Sequence, residues 1–146
     1  EIYTEKDGEV IFKKYSPMGD LTDFAAQICE SIGKNTGHIA AVADRDSIIA
    51  VAGAPKRELL EKRNSAELEQ LMERRECYER GVDEQPEVLI SSQDGCAVVA
   101  EAPIITDGDV SGCVAFISEK EDTASSEVLL GLCQSAAQFL SRRIAV

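Results

Sequence analysis

At 146 residues, 44% of them hydrophobic, the chain is one ordinary domain with a short appendage, able to build a core without disulfide or metal staples. Its 27 acidic and 15 basic residues leave a formal net charge of −12, which sets most of the surface against a phosphate backbone and excludes nucleic-acid reading by this chain itself. No apolar run approaches the ~18 residues of a membrane helix, so a cytoplasmic location with no membrane partner is expected.

The chain opens with two strand-like runs, EIYTE and EVIFKKY, around the tight-turn pair Asp7-Gly8. Val10 and Phe12 lie on one face of this hairpin and Ile11 on the other, so both faces need a partner that the segment does not supply. Ser16-Pro17 reads as an N-cap and first helical residue. Leu21, Phe24, Ala25, Ile28, Cys29 and Ile32 then recur at helical spacing, with Gly33 and Asn35 as stop signals. HIAAVAD and SIIAVAG are near-continuous apolar runs of the kind found in central strands, joined through Asp44-Arg45-Asp46.

From Pro55 to Gly81 the chain is charged and reads as helical, with Asn64 and Glu67 in a capping pattern. Its apolar edge is only Leu68, Leu71 and Met72, enough to cover a sheet rim or a pocket. Three further strands are expected in PEVLI, AVVAEAPII and VSGCVAFIS, with turns at Asp94-Gly95 and Asp107-Gly108. A last helix runs from near Ser125 to the end. Its stripe of Val128, Leu129, Leu132, Cys133, Ala136, Phe139, Leu140 and Ile144 is wider than one sheet face needs. The surplus suggests a bundle with a second copy, through Leu21, Phe24 and Ile28 of the first helix and Leu129, Leu132, Ala136 and Leu140 of the last. The order α-β-β-α-β-β-β-α predicts an α+β fold. Its five-stranded, mostly antiparallel sheet carries the first and last helices on one face and the charged segment on the other.

The single histidine, His38, cannot complete a nucleophilic triad, and the five cysteines at 29, 77, 96, 113 and 133 lie too far apart for zinc spacing. Their odd number suits reduced thiols. VAGAPKRELL has one glycine and is no phosphate loop. No catalytic, cofactor-binding or metal-binding residue is therefore assigned. What remains is a pocket between sheet and cover, drawn from Ala43, Asp44, Ile48, Ala50, Cys96, Val98, Cys113 and Ala115. Side chains or a ligand could equally fill it.

The hairpin EIYTEKDGEVIFKKYSP resembles the end of an AbrB-like swapped-hairpin DNA-binding domain. GHIAAVADRD, IIAVAG, NSAELEQLMERR, EAPIITDGDVSGCVAFIS and SAAQFLSRR follow in the order of a GAF-type sensory domain. Joined in this way they resemble a family of sporulation transcription regulators of endospore-forming bacteria. The resemblance implies a boundary between 1–16, the remnant of the DNA-binding domain, and 17–146, a regulatory and dimerisation domain. It implies DNA contact only through the part absent from this chain, with Lys13 and Lys14 beside the linker. It also implies a homodimer, or a homotetramer in the full-length protein, and an unidentified small-molecule effector. Two alternatives share the fold: a thiol enzyme of the free methionine sulfoxide reductase type, and a ligand-free dimerisation spacer. The hairpin is expected to lack order or to pair with another copy.

Overall fold

A computed structural model of the chain describes residues 22–53, 59–79, 88–91, 97–118 and 126–145. The N-terminal hairpin, the boundary at 16/17, Leu21, the Asp94-Gly95 turn and Cys96 lie outside these residues. The elements are α1 (Thr22–Thr36), β1 (Ile39–Asp44), β2 (Ile48–Ala52), α2 (Ala66–Arg74), β3 (Tyr78–Glu79), β4 (Ala97–Thr106), β5 (Asp109–Ser118) and α3 (Ser126–Ala145). The strands form one sheet in the order β2-β1-β5-β4-β3, each neighbouring pair antiparallel. This is the α+β architecture that the sequence predicts.

The two longest strands, β4 and β5, are joined by Asp107 and Gly108, both at positive φ (53° and 86°). That backbone twist matches the twist of the strands it joins. Between β1 and β2 the Asp44 carboxylate closes the turn, accepting from the Asp46 and Ser47 amides at 2.7 and 2.8 Å. The first helix runs through Gly33 rather than stopping there. Gly33 is inside α1 because an added Cβ would stand 3.1 Å from the His38 carbonyl, and the helix ends one turn later at Thr36.

The segment expected to be helical from 55 to 81 is mostly not so among the described residues: α2 spans only Ala66–Arg74. Its cap is Ser65, whose hydroxyl accepts from the Leu68 amide at 3.0 Å and donates to the Leu89 carbonyl at 2.5 Å. Asn64, the expected cap, instead donates its amide to the Asp44 carbonyl at 3.0 Å. At the other end Arg75 takes a left-handed conformation and donates to the Gly108 carbonyl. Tyr78–Glu79 then pairs with Glu101 and Ala100 as β3, the strand that the sequence placed at 86–90. The described part of that run, 88–91, makes only isolated bridges, Leu89 to Ala97 and Ser91 to Asn64, and ties the start of α2 to the start of β4.

Two apolar layers flank the sheet. On one face Ala25 and Cys29 of α1, with Leu129, Cys133, Ala136, Ala137 and Leu140 of α3, pack on Val42, Ala100, Val114 and Phe116. On the other, Leu68, Leu71 and Met72 of α2 join Leu59 and Ile90 over Ile48, Val98 and Ile117. Full burial of each such Leu, Ile or Phe contributes about 1.5–3 kcal/mol.

Candidate functional site

The α2 face of the sheet carries the one buried charged side chain among the described residues, Glu101. A register shift in β4 between Val98 and Ala100 turns both Val99 and Ala100 toward α3, so the alternation resumes one residue late. Glu101 lies between Ala100 and Ala102, which both face α3, and is thereby aimed at α2. Its register partners are Tyr78 on β3 and Ala115 on β5, and it is 0% exposed. Neither carboxyl oxygen has a hydrogen-bond partner among the described residues. Burial, reinforced by the nearby Glu76 carboxylate, pushes its pKa from 4.5 up to about 9. Near neutral pH the group is therefore a protonated acid.

The pocket residues chosen from sequence divide. Ala43, Ile48, Val98, Cys113 and Ala115 do come together on this face. Ala50 does not: a shift between Val42 and Ala43, opposite Ala50 and Ile48, leaves Ile49 as an extra residue in β2 and sends Ala50 to the α1 side. Asp44 is only partly buried, and its carboxylate is held by the turn amides. Leu59, Leu68, Leu71, Met72 and Ile90 cover the face. Sequence reasoning gave Glu101 no separate role, although a lone Glu inside AVVAEAPII was the available signal. A second unpaired acceptor, Asn64 Oδ1, is buried at the start of α2. Two clefts lie elsewhere. One, of about 560 Å³, runs beside α2 and is lined by Arg45, Asp46, Glu69 and Glu73. The other, of about 430 Å³, lies between β4 and α3 and is lined by Arg75, Cys77, Pro103 and Gln134.

On the opposite face, the seven residues expected to join two copies also divide. Leu129, Ala136 and Leu140 are buried in the chain's own core because the sheet takes that part of the α3 stripe. Phe24, Ile28 and Leu132 are half-buried at its margin, beside Val128 and Phe139, which are 61% and 49% exposed. Phe24 and Phe139 stack at 5.2 Å between ring centroids, with the Arg143 guanidinium 4.8 Å from the Phe24 ring.

Of the described thiols, Cys29, Cys113 and Cys133 are buried and Cys77 is exposed. Burial, with Glu30 adding, pushes Cys29 up to about 12. Burial and then Glu101 push Cys113 and Cys133 well above the ordinary thiol range. Among the described residues no group of three or more His, Cys, Asp or Glu could hold a metal ion, and no helix is long and apolar enough to cross a membrane.

Comparison with known proteins gives a consistent result. A family described as "Stage V sporulation protein T C-terminal, transcription factor" matches residues 20–145. Stage V sporulation protein T of Bacillus subtilis (strain 168) is 33% identical over 144 residues, spanning 99% of this chain and 80% of that protein. Among solved structures, the GAF domain of Acinetobacter phosphoenolpyruvate-protein phosphotransferase superposes with a TM-score of 0.58 at 15% identity, covering 91% of this chain and 84% of that one. The type II free methionine-R-sulfoxide reductase of Thermoplasma acidophilum also gives 0.58, at 16% identity over 86% and 95%. At these identities the structural likeness establishes the GAF fold and nothing finer.

Proposed function

The chain belongs to the family of stage V sporulation protein T C-terminal domains, found in transcription factors, and from that premise we propose that it is their non-catalytic sensing and oligomerising half. It joins two copies through α1 and α3, or four in the full-length protein, and reads a small molecule on the α2 face. DNA is contacted through a part of the protein outside this chain, which its net charge of −12 suits. The observation that carries this reading is the unequal closure of the two sheet faces. One is covered by two long helices that leave Val128 and Phe139 exposed, and the other by a nine-residue helix over an unpaired buried carboxyl.

Catalysis by thiols is not favoured. A reductase needs a thiolate and a resolving partner, whereas burial holds Cys29, Cys113 and Cys133 protonated at neutral pH. Two measurements test the proposal. Sedimentation velocity should show a dimer that Phe139→Glu converts to monomer, because a charge would replace the exposed ring beside Phe24. A thermal-shift screen of amino acids, nucleotides and small acids should find a stabilising molecule, and a flat response to all of them would remove the sensory part.

A further inference from the structure

Burying a carboxyl group with nothing to bond is costly, and folded proteins rarely keep such a group. Glu101 is held in that condition, 0% exposed with both oxygens unpaired among the described residues. It stands at the end of a row of small side chains, with Ala115 beside it on β5 and Ala41 beyond on β1. The next row pairs Cys113 with Ala43. Above them α2 turns only Leu68, Leu71 and Met72 toward the sheet. A second unpaired acceptor, Asn64 Oδ1, is buried where α2 begins. The layer thus has a floor of small residues, a thin apolar roof and two acceptor groups with no donor among the described residues.

We propose that this layer is a binding site for a small molecule bearing a primary ammonium group, with the Glu101 carboxylate as its counter-ion. The inference rests on the sensory reading above and names the chemistry of what is sensed. An ammonium offers three N–H donors on one positive centre, enough for both carboxyl oxygens. A carboxylate or phosphate would instead meet Glu101 with Glu76 behind it. The acidic and thiol groups around the site act in the same sense. Glu76 precedes β3 and Tyr78 lies on it, Cys113 faces the layer from β5, Asp44 acts on Cys113 from the end of β1, and Cys133 lies behind the sheet on α3. In the empty site the Glu101 proton stays on. When the ammonium enters, the Glu101 O–H bond breaks, the proton leaves to solvent and a charge-assisted N–H···O pair replaces it. One proton is released for each ammonium bound.

The test uses the 146-residue chain with probes that share one apolar group. Leucine, its decarboxylated amine 3-methylbutylamine and its deaminated acid 4-methylpentanoate form one set; phenylalanine, phenethylamine and 3-phenylpropanoate form another. Within at least one set the amine-bearing members should raise the melting temperature and the deaminated acid should not. Calorimetry in two buffers of different ionisation enthalpy should record one proton released. Affinity for the amine should rise about tenfold per pH unit from pH 6 to 8, below the carboxyl's folded pKa of about 9. Glu101→Gln should abolish both the shift and its pH dependence. Ala115→Leu, which fills the row without touching the carboxyl, should abolish the shift as well. Acids stabilising as well as amines, amine binding without proton release, or undiminished binding to Glu101→Gln would each overturn the inference. If only acids or nucleotides stabilise the chain, the sensory reading stands and this one falls. If nothing in either screen does, both fall.

Discussion

Replacing Glu101 by glutamine keeps the shape of a fully buried side chain and removes its ability to ionise. The folded carboxyl holds its proton up to about pH 9, whereas the ordinary value of 4.5 applies to the unfolded chain. Between those limits unfolding releases a proton that folding must recover. Stability from this group is therefore intact below about pH 4.5 and falls by about 1.4 kcal/mol per pH unit as pH rises toward 9. By pH 7 the loss amounts to about 3 kcal/mol, a large share of the ~5–15 kcal/mol that holds a domain folded. Glutamine suffers none of this loss. Any cost of seating its amide without partners is about 1–3 kcal/mol and does not change with pH. The slope is thus the diagnostic quantity. Urea unfolding of both chains followed by circular dichroism at pH 5, 6, 7 and 8 should give stability curves that diverge by about 1.4 kcal/mol per unit, the variant gaining as pH rises. Parallel curves would mean that Glu101 is ionised or partnered in the folded chain, and the description of the α2 face would be wrong.

Three further outcomes follow from particular contacts. Ser65→Ala removes both the cap on the Leu68 amide and the bond to the Leu89 carbonyl, and should cost about 1–2 kcal/mol in the same unfolding assay; an unchanged midpoint would deny Ser65 its role. Gly112→Ala would put a Cβ 2.0 Å from the Ala43 carbonyl where β5 crosses β1, and should cost about 3 kcal/mol or more, or abolish soluble expression. Thiol labelling of native chain at pH 7 should modify Cys77 fast and Cys29, Cys113 and Cys133 only as fast as the protein opens. Rapid labelling of any of those three would revive thiol chemistry.

Long periodic elements were readable from sequence because their patterns repeat several times. The stripes of α1 and α3 and the apolar runs of β1, β2, β4 and β5 all specify their own conformation. Tyr78–Glu79 could not be read this way. Two residues show no alternation, and their strand exists because β4 offers Ala100 and Glu101 an edge to pair with. The extra residues at Ile49 and Val99 are also invisible in sequence, yet each inverts the alternation beyond it. That inversion moved Ala50 off the predicted pocket face and set Glu101 on it. The α3 stripe was correctly read as too wide for the sheet, but a sequence does not say which part the sheet takes. The sheet took Leu129, Ala136 and Leu140 and left Val128 and Phe139 outside.

Native mass spectrometry of the chain at tens of micromolar tests the regulatory account most directly, since one spectrum records assembly and any retained ligand. The expected result is a particle of twice the 15.8 kDa chain mass that collapses to single chains with Phe139→Glu, and that takes up one amine probe per chain. Single chains at all concentrations, indifferent to that substitution and to every probe, would contradict it.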